Sequence, residues 1–113
     1  MIVKKTIHLE EDGSEGYIEC IYDSSNILMS IYFPKNNTLF ISFNRGGVYS
    51  YTKVDKELYE KFEDADSQGK FFVNEIKKNN IHEVQKEYTL YNSEVEDAKK
   101  ILNEWKENQQ LKS

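Results

Sequence analysis

The residues best placed for chemistry in this chain are Ser67-Gln68-Gly69-Lys70. A serine opening a helix leaves backbone amides and a partial positive charge directed outward, glycine permits close approach, and a lysine adds a full cation. Ser67, Gly69 and Lys70 can together hold a phosphate on those grounds. The same residues also fit a plain serine cap between two helices, with glycine relieving crowding. The glycine-rich phosphate loop ending in Gly-Lys-Ser/Thr is absent, so nucleotide hydrolysis has no support.

A second candidate is Tyr49-x-Tyr51, two phenols on one face of a strand. Such a pair can stack nucleic-acid bases, at about 1–3 kcal/mol per base. It can equally be a pair of half-buried strand aromatics whose hydroxyls find backbone partners. Tyr32 and Phe40 can extend an aromatic surface, and Arg45 and Lys53 are the cations near it in sequence. Trp105 lies near the end of a helical stripe, where a tryptophan suits either an interface or intramolecular docking.

Other chemistries lack their residue sets. His8 and His82 stand apart from any zinc-ligand spacing, and Cys20 is the one cysteine. Glu10, Glu11, Asp12 and Glu15 lack the spacing of a calcium loop and read as a solvated acidic turn. No serine–histidine or cysteine–histidine motif supports nucleophilic catalysis. The expectation is therefore a non-enzyme with no cofactor and no metal.

The elements that must position these residues follow from periodicity. Val3, Ile7 and Leu9 alternate with polar residues, as do Ile18, Cys20 and Tyr22, with a glycine-bearing turn between. Ile27, Met29, Ile31 and Phe33 are period two, as are Leu39, Ile41 and Phe43, joined by Pro34-Lys35-Asn36-Asn37. Asn44-Arg45-Gly46-Gly47 turns the chain into a fifth strand over 48–54. Asp55 can cap a helix carrying Leu58, Phe62 and Ala65, and Ser67 a second carrying Phe72 and Ile76, ended by Asn79-Asn80. Residues 82–90 read as an edge strand or a loop. Ser93-Glu94-Val95-Glu96 has the capping-box form ahead of a helix with Val95, Ala98, Ile101, Leu102 and Trp105 on one face, and the tail after Lys106 is expected to fray.

Bulk properties limit the class. The chain has 113 residues, enough for one domain, and 13% aromatic content, which argues against disorder. No apolar run approaches the roughly 20 residues needed to span a bilayer, and residues 1–9 lack a signal-peptide core, so a cytoplasmic protein without a membrane span is expected. Net charge is −5, with two basic against six acidic residues in 1–23, eight against seven in 24–80, and five against seven in 81–113. No basic stripe of the kind that non-specific polyanion binding leaves is visible.

Residues 24–78 resemble the KTSC domain, named for its occurrence at the C-terminus of some lysyl-tRNA synthetases. The resemblance rests on Ser24-Ser25-Asn26-Ile27, Tyr32, Leu39, Ile41, Phe43, Gly46, Val48, Tyr49-x-Tyr51 and Val54. It continues through Tyr59, Ala65-Asp66-Ser67, Gly69, Phe71-Phe72 and Ile76. This chain departs from the pattern at Ile31 and Phe33, where glycine and aspartate are usual, and at Asp55, which replaces a common proline. Val73 and Glu75 stand where asparagine and histidine are expected. The resemblance implies a small domain of unknown role, with RNA binding suggested by the synthetase context.

The resulting expectation is a single α+β domain: an antiparallel meander of about five strands followed by two or three helices packed on one face. Residues 24–78 form its KTSC-like core, 1–23 an N-terminal β extension, and 81–113 an extension with an amphipathic helix. The expected function is a binding module acting on a protein partner, of accessory or inhibitor type and suited to a phage or prophage setting. RNA or tRNA binding is the alternative. Arg45, Tyr49, Tyr51, Ser67, Gly69, Lys70 and Trp105 are the candidate contact residues.

Overall fold

In the computed structural model, which describes residues 1–78, 82–84 and 89–112, alternation along the first half of the chain produces one antiparallel sheet. Its strands are β1 (Ile2–Leu9), β2 (Glu15–Tyr22), β3 (Ile27–Phe33), β4 (Thr38–Phe43) and β5 (Val48–Tyr51), each paired with the next. A short sixth strand, β6 (His82–Val84), pairs antiparallel with β5, so the edge-strand reading of 82–90 is realised at 82–84 alone; 85–88 lie outside the described residues and 89–90 are helical. Three helical segments, α1 (Lys56–Asp64), α2 (Gln68–Phe71) and a π-helix (Phe72–Lys77), come between β5 and β6, and α3 (Thr89–Lys112) closes the chain.

Local chemistry accounts for the breaks. Asn37 takes a left-handed conformation in the β3–β4 turn, and Gly46 and Gly47 do so at φ of 98° and 87° in the β4–β5 turn. The Asp55 carboxylate accepts the Leu58 amide at 2.8 Å and caps α1. Gln68, which is buried, donates from Nε2 to the carbonyls of Glu63 and Ala65, satisfying the end of α1 that the helix itself leaves open.

The α+β class and the meander agree with the sequence reading, but the helices do not share one face. Ile18, Cys20, Tyr22, Tyr32, Leu39 and Ile41 point to the side covered by α1, α2 and the π-helix, where Tyr59, Phe62, Phe72 and Ile76 complete a core. Ile21, Met29 and Ile31 point to the other side, where Ala98 and Leu102 of α3 cover them. The register explains the split. Ile31 lies opposite Phe40 and Tyr32 opposite Leu39, so Met29 and Ile31 face away from Leu39 and Ile41, while Ile27, beyond a register shift, pairs with Phe43 and joins the first core.

Further corrections concern α3. It begins at Thr89, so Ser93 lies inside the helix rather than capping it, and it continues to Lys112 through the tail expected to fray. The expected stop at Asn79-Asn80 falls outside the described residues.

Tyr59, absent from the stripe read for α1, is fully buried. Its ring stacks on Tyr32 with centroids 4.1 Å apart and planes within 6°. Such a pair contributes about 0.5–1.5 kcal/mol beyond its buried area. The Tyr32 hydroxyl donates to the Val54 carbonyl at 2.8 Å, so the polar tip is satisfied. Burial holds the Cys20 thiol above its usual range, which suits a packed thiol rather than a nucleophile.

Candidate functional site

Where the sheet meets the π-helix, the α1-side face leaves a cavity of about 680 Å³. Its floor is aromatic. Phe43 at the end of β4, Tyr49 and Tyr51 of β5, and Phe72 of the π-helix all line it. Phe43 meets Tyr49 at 5.5 Å and Phe72 at 5.4 Å, and Tyr51 meets Phe72 at 5.0 Å, each edge to face. Rings locked against one another in this way form a preorganised surface, because little side-chain freedom remains to be lost on binding.

The walls come from three separate parts of the chain. The β2–β3 loop supplies Ser25 and Asn26, the β4–β5 turn supplies Arg45 and Gly46, and the π-helix supplies Val73 and Lys77. Asn44 braces two of them. Its backbone amide donates to the Asn26 carbonyl at 2.9 Å and its carboxamide to the Ser24 carbonyl at 2.7 Å. A π-helix is wider than an α-helix and recurs at functional sites. Here the wide turn brings Phe72, Val73 and Lys77 to the cavity while Ile76 stays buried in the core.

The electrostatics are one-sided. Arg45 and Lys77 are the charged residues of the lining, and no carboxylate is among the described residues that form it. Burial pushes the Tyr51 phenol up to about 12, so it enters the cavity neutral.

Of the residues singled out in the sequence, Arg45, Tyr49 and Tyr51 come together here. The two tyrosines differ: Tyr49 is half-buried, whereas Tyr51 is 2% exposed and has Phe72 against its ring, leaving no open face for stacking. Ser67, Gly69 and Lys70 lie outside the lining. The Ser67 hydroxyl accepts the Lys70 amide at 3.3 Å and caps the four-residue α2. Gly69 permits a close approach, but to the β2–β3 loop. A Cβ there would stand 3.2 Å from Asn26 Nδ2 and 3.7 Å from Ser24 Oγ. Trp105 is half-buried against the core on the α3 side. Lys53, Lys70 and Lys78 are exposed but not part of the cavity.

Asn26, Phe43, Phe72, Val73 and Lys77 were not among the expected contact residues. Their convergence depends on the fold, although Asn26, Phe43 and Phe72 already belong to the family-like pattern in sequence. Among the described residues, no group of three or more metal-ligating side chains assembles, and no helix is long and apolar enough to cross a membrane.

The KTSC domain profile matches residues 23–79, about half of the chain, and the described lining residues of the cavity all fall inside that match. The chain is also similar to the crystal structure of a KTSC domain protein from Yersinia pestis. Identity is 33%, the match covers 59% of this chain and 94% of that one, and the TM-score is 0.57. No curated protein matches the chain. With β3 to β5, α1, α2 and the π-helix all inside the match, the chain belongs to the KTSC domain family.

Proposed function

We propose that this protein is a non-catalytic binding module that holds single-stranded RNA, with one nucleotide seated in the cavity. The observation that carries the reading is the pairing of an aromatic floor with two cations and no carboxylate among the described lining residues. Bases supply rings for such a floor and phosphates supply anions for such walls, which is how sequence-specific RNA readers engage unstacked nucleotides. The overall charge of −5 is compatible with this, because a single pocket needs only its own cations and not a basic stripe.

The protein-partner reading drew on the acidic charge, the aromatic content and the lack of a basic stripe, with the Tyr49–Tyr51 strand, Arg45 and the helix near Trp105 as its surfaces. Trp105 is half-buried against the α3-side core, which leaves only part of it to a partner, and the aromatic, cationic cavity supports RNA better.

An NMR titration with a short mixed-sequence single-stranded RNA tests the proposal. Amide shifts centred on Asn26, Gly46, Tyr49, Val73 and Lys77 are expected. Shifts confined to α3, or none at saturating RNA, would contradict it.

A further inference from the structure

Among the described lining residues of the cavity, one carboxamide is not used by the fold itself. The Asn26 carboxamide lines the cavity, is exposed, and makes no hydrogen bond to any described residue. Its backbone, by contrast, is fixed at both ends: the amide donates to Ser24 Oγ at 3.3 Å, and the carbonyl accepts the Asn44 amide at 2.9 Å. Gly69, packed beneath Nδ2, restricts the side chain on the α2 side. The result is a donor and an acceptor side by side on an anchored residue, next to an aromatic floor.

We propose that Asn26 is the specificity-determining residue of the cavity and reads the edge of the seated base. This rests on the RNA reading above and adds that the site discriminates among bases. A carboxamide matches the adjacent donor and acceptor that a base edge presents, as asparagine does toward adenine. The rings of the floor and the two cations have no such preference, because every base has a π face and every nucleotide a phosphate. Asn26 brings the one carboxamide among the described lining residues, and base selectivity is assigned to it.

The test measures affinities of wild type and Asn26→Ala for short homopolymeric RNAs of each base by fluorescence anisotropy. Because the carboxamide bonds to no described residue, the variant keeps the contacts that hold its loop, and its fold is checked by circular dichroism. Wild type is expected to prefer one base on the order of tenfold, and Asn26→Ala to bring the series within about twofold, with its salt dependence unchanged. Asn26→Asp, which accepts but does not donate, is expected to change the preferred base. A preference that survives in Asn26→Ala, or a wild type with no preference, would overturn the inference and leave the RNA reading standing. A wild type that binds none of the RNAs would overturn both.

Discussion

Phe72 and Lys77, five residues apart at the two ends of the π-helix, both line the cavity, one in its floor and the other in its wall. This spacing suits the wider π turn, whereas residues four apart share a face in an α-helix. The charge of the cavity therefore depends on an irregular helix. Lys77→Ala, which removes the charge that this turn carries to the cavity, is expected to weaken RNA binding by about tenfold, roughly 1.4 kcal/mol, while circular dichroism retains the sheet. Unchanged affinity would show that this cation does not contribute to binding.

Ser67 and Lys70 separate capping from binding. Ser67→Ala removes the acceptor for the Lys70 amide and is expected to cost about 1 kcal/mol in urea unfolding, with RNA affinity unchanged. Lys70→Ala is expected to leave both unchanged, since Lys70 is exposed and outside the cavity. Weaker RNA binding in either variant would return these residues to the site.

Gly69→Ala sets a helix-propensity gain of roughly 1 kcal/mol against a tight contact with Asn26 Nδ2. Asn26 is the flexible end of a side chain and can yield by a few tenths of an ångström, so net stability is expected to stay within about 1 kcal/mol of wild type. The change should appear instead in the Asn26 side-chain NMR resonances. A large loss of stability with those resonances unmoved would place the role of Gly69 elsewhere.

Alkaline pH should destabilise the protein through its buried phenols. Burial pushes Tyr32 and Tyr51 up to about 12 from a usual 10.0, and raises Tyr22 and Tyr59 as well. The native state then holds these protons more tightly than the unfolded chain does. Their contribution is fully present below about pH 10 and is lost as pH rises through the folded values. Tyrosinate absorbance should show the phenols of Tyr22, Tyr32, Tyr51 and Tyr59 appearing above pH 10 together with loss of circular dichroism. A single titration near pH 10 with the fold intact would contradict the assignment.

Ile31 is held by the helix that covers the second face of the sheet. It stands where the family carries glycine, and Phe33 where it carries aspartate, and both pack on the side that α3 covers. Ile31 is 5% exposed, so Ile31→Gly is expected to cost about 3 kcal/mol or more by urea unfolding. A cost below about 1 kcal/mol would mean that α3 does not bury this face.

These residues also mark how far the sequence could be read. Period-two runs in β2, β3 and β4 were visible, as were the Asp55 and Ser67 caps, because each is set by neighbours a few residues apart. That Met29 and Ile31 face one way and Leu39 and Ile41 the other depends on the pairing of Ile31 with Phe40, a register no single strand encodes. The helix pattern identified Phe72 and Ile76 but not the π geometry that admits Lys77. Arg45 and Tyr49 were legible as candidates. Their convergence with Asn26 was not, because the Asn44 brace that joins their loops links residues about 20 apart in sequence.

The most direct test of the central claim is the salt dependence of single-stranded RNA binding by wild type, Arg45→Ala, Lys77→Ala and the double variant. If both cations meet phosphate, each single change should weaken binding and reduce the slope of log K against log salt by about 0.7, and the double variant by about twice that. Slopes identical to wild type in all three variants would contradict the cavity as the RNA site.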